Sequence, residues 1–359
     1  MRRIKAVVYG VGAMNSIATR MMLEKGVDIV GALARSPEKV GRDLGDVAGL
    51  GIQTGVLVED DPDRVLSSRR ADIAVIAVAS YMGDMYEHLR RCAEHGVNAV
   101  TIAEEALYPW NTAPMQTAEL DRLARSNGVT LTGTGHQDVY WVNLVSMVLG
   151  TAHTIESVTG RASWNVDDYG PEVAKDQRVD TTVEDFDAWL AEADRPPSFG
   201  RNTLGALVED LGLTVAVQES TTRPEIAQQP VASKSLGVTV EPGRVIGFTD
   251  VDTVRSHQGI TLTFEMTGRL YLEGETDIND WTVRGEPDLR LTNPAVPTMM
   301  STCYQLVNRI PDVINAPPGF ITIEKLPRLR YRTYPLGMYV DAGGRGPRRR
   351  PGSFAQIGI

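Results

Sequence analysis

The chain has 359 residues, 42% of them apolar, a formal net charge of −10 and an isoelectric point near 5.1. That length predicts about two domains with a sizeable packed core rather than disorder, and the acidic balance argues against nucleic acid or an anionic membrane as the main partner. No apolar run approaches the ~20 residues needed to span a bilayer. Cys92 and Cys303 lie far apart, with no metal-ligand or disulfide spacing. They read as small buried hydrophobes in a reducing compartment. An apolar strand at residues 4–9 leaves no room for a signal peptide, so the expected location is cytoplasmic.

That strand runs into Gly10-Val11-Gly12, and a helical pattern follows over 13–25. This reads as the opening of a dinucleotide-binding fold. Gly10 permits the sharp turn, and Gly12 lets the backbone approach a pyrophosphate. The helix start at Ala13, Met14 and Asn15 then offers free N–H groups and a positive dipole end. Asn15 stands where the usual fingerprint has its third glycine, so the turn needs support from its surroundings. A second apolar strand, 27–33, ends at Arg35-Ser36. An acidic residue at this tip binds the adenosine ribose of NAD, whereas a basic one accommodates the 2′-phosphate of NADP. With Arg35 and Ser36 there, NADP(H) is the preferred cofactor and NAD(H) stays open.

Residues 52–58 hold a short strand, and 71–78 form a strand apolar almost throughout, as when both faces of a parallel sheet are covered. It ends in Ala79-Ser80 at the edge where such sheets bind ligands. Ser80 reads both as a cofactor contact and as the N-cap of a helix over 83–95, whose His88 and His95 read as solvent-facing or capping. A strand at 97–103 ends in Glu104-Glu105. A helix over 112–127 and a strand at 129–132 lead to the turn Gly133-Thr134-Gly135. Alternating strands and helices imply a doubly wound parallel α/β sheet, a Rossmann domain over 1–135.

An apolar helix follows at 139–150, with Asp138 as its cap, and then a strand at 154–165. His136, Gln137 and Trp141, beside the crevice turn, are candidate substrate contacts, each with a structural alternative. Trp164 and Tyr169 are candidate walls for a small apolar substrate, and Asp168 could hold a second cationic group. Residues 175–200 are acidic; a helix is expected at 204–211 and strands at 214–219, 234–241, 245–253, 259–267, 269–272 and 281–284. These give an α+β substrate and dimerisation domain over 136–295, with a mixed or antiparallel sheet. His257 is a remote candidate for the site. A helix at 296–310 and a strand at 320–324 precede a basic, glycine-rich tail at 341–359.

Two carboxylates at a strand end facing a nicotinamide carry the chemistry. No lysine lies between Lys39 and Lys175 to move a hydroxyl proton. A carboxylate suits a cationic substrate: an amine arrives as ammonium and loses a proton before hydride leaves its carbon, and the iminium product is again a cation. Glu104 is the expected base, with Glu105 next, since neighbours at a strand end face opposite ways.

The glycine pair, Val-Thr-Ile-Ala-Glu-Glu-Ala-Leu-Tyr-Pro at 100–109 and Gly-Thr-Gly-His-Gln-Asp at 133–138 resemble the 2,4-diaminopentanoate dehydrogenase family, which includes native NAD(P)-dependent amine dehydrogenases and is built like dihydrodipicolinate reductase. The resemblance implies reversible oxidative deamination of an amine, or reductive amination of a ketone or aldehyde with ammonia. It matches Glu104 to the family glutamate that handles the amine, and implies a homodimer. It also implies that residues 296–340 return to the nucleotide domain, placing Asn315 and Pro317 beside the cofactor. Two other readings stand beside it: an NADP-dependent imine or carbonyl reductase, and an NADPH-sensing regulatory protein without turnover.

Overall fold

The computed structural model describes residues 2–192 and 195–341; the expected tail beyond 341 lies outside the described residues. In chain order the elements are β1 (Lys5–Tyr9), α1 (Ala13–Glu24), β2 (Asp28–Leu33), α2 (Leu44–Val47), β3 (Val58–Glu59), α3 (Pro62–Arg69), β4 (Ile73–Ile76), α4 (Met82–Glu94), β5 (Asn98–Thr101), α5 (Pro114–Asn127) and β6 (Thr130–Gly133). A wide turn at Asp138–Asn143 leads into α6 (Leu144–Leu149), β7 (Thr154–Asn165), α7 (Pro171–Asp176), α8 (Val183–Leu190), α9 (Phe199–Asp210), β8 (Val215–Ile226) and β9 (Val231–Ser233). Then come β10 (Val238–Val240), β11 (Val245–Ser256), β12 (Thr261–Arg269), β13 (Ile278–Glu286), β14 (Leu289–Leu291), α10 (Thr298–Asn315) and β15 (Gly319–Phe320).

The first sheet has the order β15-β6-β5-β4-β1-β2-β3, and its strand pairs are parallel. The chain reverses direction of travel between β1 and β4, so the carboxyl ends of these two strands open the crevice where such sheets take ligands. All four residues of β4 are fully buried. Removing each Val or Ile side chain from water contributes roughly 1.5–3 kcal/mol. One apolar cluster joins this sheet to α4 and α5, and another joins its opposite face to α1 and α10.

The second sheet runs β14-β13-β7-β12-β11-β8. It is mixed: β7 and β12 are parallel, and the other pairs are antiparallel. α9 and the wide turn before α6 cover one face, Leu204, Leu207 and Trp141 sharing a core with Phe264 of β12.

Several local expectations are corrected. The strand expected at 234–241 shrinks to β10, which pairs antiparallel with β9 just before it, and no strand of its own occupies 269–272, because Arg269 ends β12. The acidic stretch 175–200 takes in the end of α7 and all of α8, both too short for a clear periodic signal. The last long helix does not stop at Pro311. Proline costs an interior helix about 3 kcal/mol, but Leu306, Val307, Ile310 and Val313 are fully buried on the sheet and hold α10 together through it. The helix ends at Asn315, where Ala316 turns extended (ψ 156°) ahead of Pro317.

Candidate active site

The turn after β1 is shaped by Gly10, whose φ is +89°; a Cβ there would lie 2.5 Å from the Ala77 carbonyl oxygen and from Val78 Cγ1. Gly12 has open space on its Cβ side and precedes α1, which has no side-chain cap and no acidic residue in its first turn. Its free N–H groups and unneutralised dipole make an anion site. Asn15 is fully buried, and its Nδ2 donates to the carbonyls of Tyr9 (3.1 Å), Gly10 (2.9 Å) and Val75 (3.1 Å). It pins the turn to β4 from behind. The side chain faces the sheet, where a third glycine would leave those carbonyls without this donor.

Arg35 stands exposed past the end of β2, and the Ser36 carbonyl accepts the Lys39 N–H at 2.9 Å. Lys39 Nζ donates to the Val11 carbonyl at 3.0 Å, which brings an ammonium to the glycine turn. Sequence reasoning missed this lysine, although its place four residues past Arg35 was a usable signal. His88 does not face solvent. Its Nδ1 lies 2.8 Å from the Tyr9 hydroxyl, the rings meet edge to face, and burial holds its pKa below the usual histidine value. The glycine cradle, the bare helix end and two nearby cations fit a nicotinamide dinucleotide.

The two glutamates after β5 divide sharply. Glu105 is 4% exposed, and its Oε2 accepts the Met82 N–H at 2.5 Å, capping α4. Its own N–H donates to the Ser80 carbonyl at 3.1 Å. Glu105 is thereby excluded as the base, and Ser80 as the helix cap. The Ser80 hydroxyl instead bonds the Glu104 carboxylate. Glu104 is half-buried, and burial pushes its pKa up, against the Ser80 bond that lowers it. Its charge acts on the phenols of Tyr81, which follows Ser80, and of Tyr169, from the turn after β7. Neither flanking lysine is a rival base: Lys39 is engaged at the turn, and Lys175 pairs with Glu172 at 2.8 Å in α7.

Trp164 and Tyr169 meet edge to face, with centroids 5.3 Å apart. Tyr169 also borders a cavity of about 1010 Å³ that reaches Asp168, Tyr271, Asp277, Thr298 and Met299. The other aromatic candidates are less available. His136 is 3% exposed, stacks on Tyr140, and bonds Ser301 Oγ through Nδ1 (3.0 Å) and the Asn279 side chain; burial lowers its pKa to about 4. Gln137 Nε2 donates to the Thr134 carbonyl (2.6 Å) and the Ile102 carbonyl (3.3 Å), holding the turn. Trp141 is a core residue with Nε1 on Asn279 Oδ1 at 2.7 Å. These three side chains are thus held by the turn and the core beside the crevice.

Asp138 does not cap a helix: its carboxylate meets the fully buried Arg309 of α10. Asn315 is displaced from the cofactor altogether. It is exposed, its Nδ2 donates to the Tyr339 carbonyl at 2.8 Å, and Pro317 beside it accepts from Thr130, the first residue of β6. That is the amino-terminal edge of the sheet, opposite the crevice. His257 lies exposed in the β11–β12 turn.

Residues 141–333 match the family model described as the 2,4-diaminopentanoate dehydrogenase C-terminal domain, and residues 4–103 match the N-terminus of dihydrodipicolinate reductase. The chain belongs to the 2,4-diaminopentanoate dehydrogenase family. A curated 2,4-diaminopentanoate dehydrogenase from Acetoanaerobium sticklandii is 28% identical over 342 residues, covering 91% of this chain and 94% of that one. The solved amine dehydrogenase of Mycobacterium smegmatis is 60% identical, with a TM-score of 0.89 over 93% of this chain and 98% of that one. A probable dehydrogenase from Thermotoga maritima shares the fold at 13% identity, with a TM-score of 0.57 over 90% of this chain and 92% of that one. Within the 2,4-diaminopentanoate dehydrogenase family, the described residues of this chain contain no helix long and apolar enough to cross a membrane.

Proposed function

We propose that this protein is an NAD(P)H-dependent amine dehydrogenase that prefers NADP(H), with Glu104 as its acid–base group. It interconverts a primary amine with a small ketone or aldehyde plus ammonia. The single observation carrying this reading is the Glu104 carboxylate, raised in pKa by burial, at the carboxyl edge of the sheet in the field it shares with Tyr81 and Tyr169. A nicotinamide bound at the glycine turn supplies the hydride acceptor and donor. Glu104 takes the proton from the substrate ammonium and then faces the iminium carbon–nitrogen bond, whose positive charge it stabilises. Ser80 holds the carboxylate. Tyr169, Trp164 and the cavity beside them exclude water from an apolar substrate group.

The NADP preference is supported by Arg35 and Lys39 and by the lack of a carboxylate at the tip of β2. Two free buried cysteines suit the cytoplasm. β8 is paired on one side only and exposes Val215 and Val217, which suits a homodimer. The test is a panel of ketones and aldehydes with ammonium and NADPH, followed by nicotinamide absorbance. NADPH consumption that needs ammonium supports the reading. Consumption without ammonium supports a carbonyl or imine reductase instead, and tight NADPH binding with no turnover supports a sensor.

A further inference from the structure

Asparagine is a poor residue for a helix interior and is mostly found exposed. Asn202, in the first half of α9, is fully buried. Its Nδ2 lies within hydrogen-bond reach of four acceptors: the Tyr108 carbonyl at 2.9 Å, Thr112 Oγ1 at 3.0 Å, the Glu105 carbonyl at 3.3 Å and Asn111 Oδ1 at 3.5 Å. All four belong to the segment that follows β5 and carries Glu104. Asn111 Nδ2 returns a bond to the Arg201 carbonyl at 2.7 Å. Asn202 Oδ1 meets no donor among the described residues. Leaving that oxygen unpaired costs stability; what the position gains is the set of bonds from Nδ2.

Space is tight around the same segment. A Cβ at Gly205, three residues after Asn202, would lie 2.6 Å from Tyr108 Cδ1 and from Asn111 Nδ2. One at Gly133 would lie 2.3 Å from the carbonyl carbon and oxygen of Ala106. Leu107 is fully buried in the core that holds Leu204 and Leu207 of α9. The segment is thus gripped between β6 and α9. α9 also reaches the other loop that meets Glu104. Phe199 lies three residues before Asn202, on the same side of the helix, and stacks on Tyr81 with ring centroids 4.9 Å apart and planes at 29°. Tyr81 follows Ser80, whose hydroxyl bonds the Glu104 carboxylate and whose carbonyl accepts the Glu105 N–H. The first turns of α9 therefore touch both loops that set where Glu104 stands.

We propose that Asn202 is a positioning residue for the amine reaction: by tying the segment 105–112 to α9 it holds Glu104 against Ser80 and within reach of the substrate ammonium. The proposal rests on the reading of Glu104 as the base. Proton removal by a fixed carboxylate depends on placement, and a shift of about 1 Å costs up to roughly 10²-fold in rate. Without the Nδ2 bonds the segment keeps its packing on Gly133 but loses its tie to α9, and Glu104 gains access to water. Burial is what raises the Glu104 pKa, so a better hydrated Glu104 titrates lower. Its ionisable neighbours are Glu105, engaged with the Met82 N–H, and Tyr81 and Tyr169, whose phenols burial keeps protonated.

The test is steady-state oxidation across pH of butan-2-amine, or of the amine matching whichever carbonyl the panel turns over fastest. Asn202→Ala should lower kcat by about 10–10²-fold and leave NADPH affinity unchanged. The acid limb of its kcat/KM profile should move to lower pH. Asn111→Ala removes the return bond to Arg201 at a half-buried position and should act in the same direction to a smaller extent. It decides the matter if Asn202→Ala does not fold. Glu104→Gln/Asn202→Ala should turn over no more slowly than Glu104→Gln alone, because Asn202 acts through Glu104. Wild-type kcat with an unmoved acid limb in every folded variant overturns the proposal. So does a fall in kcat with the limb in place, or losses that multiply in the double variant, either of which marks a structural role. Glu104→Gln separates the two ideas: wild-type kcat there removes the base reading itself, whatever the Asn202 variant does.

Discussion

Replacing Arg309 by Met tests how the crevice wall is held. Arg309 and Asp138 are both fully buried, and Arg309 Nε and Nη2 reach the two Asp138 oxygens at 2.9 and 2.8 Å. Arg309 Nη1 also meets Asp312 Oδ2 at 3.4 Å and the Pro327 carbonyl, while Arg332 reaches Asp312 from the other side at 2.7 Å. One guanidinium thus joins α10, the turn that carries His136 and Gln137, and the final segment. Met fills the volume but leaves Asp138 buried, with only Thr134 Oγ1 (2.8 Å) and Asn143 Nδ2 (2.7 Å) as donors. Breaking such a pair from one side costs about 3–5 kcal/mol. Urea unfolding should show the unfolding free energy falling by that amount, through a lower midpoint at an unchanged slope. The double variant Asp138→Asn/Arg309→Met should recover a large part of the loss, because no lone charge stays buried. A single-variant loss under about 1 kcal/mol, the level of an exposed pair, would refute this.

Glu105→Gln should destabilise α4 by about 1 kcal/mol, as for a lost cap, while leaving amine turnover largely intact; comparing melting temperature with kcat checks both halves. Arg35→Ala should weaken NADPH by about 1–2 kcal/mol more than NADH, measured by fluorescence titration, and equal weakening of both removes the cofactor preference. Asp250 makes the fold pH-dependent. Its folded pKa, about 6, lies above its unfolded value, so the folded state binds more protons between the two. Stability is then lost as pH rises through that window, by roughly 3 kcal/mol. Asp250→Asn should therefore be less sensitive to pH between acid and neutral conditions in thermal melts. For Glu104 the sign concerns activity: kcat/KM for amine oxidation should fall as pH drops through a pKa above the usual carboxylate range.

Sequence patterns revealed elements best where periodicity and punctuation agreed. The strand at 154–165 coincides with β7, and the Gly10–Gly12 turn sits between β1 and α1 as expected. Failures have a common cause: distant residues decide what local patterns leave open. Pro311 looks like a stop until the buried face of α10 is seen. Asn15 looks like a defective glycine, yet it ties three carbonyls together. The sequence ranks Glu104 ahead of Glu105 but does not show what each carboxylate meets. Their roles divide because the start of α4 comes up against one of them and Ser80 against the other. Asp250 and Asp252 fall inside the strand expected at 245–253, and their phase with Phe248 and Val254, both buried, puts them on its buried face.

The central claim is that Glu104 moves the substrate proton, and Glu104→Gln examines it most directly through parallel measurements of NADPH affinity and amine oxidation. The account predicts unchanged NADPH binding and a fall in kcat of about 10²–10⁴-fold. A variant that binds NADPH normally and keeps wild-type kcat would contradict it.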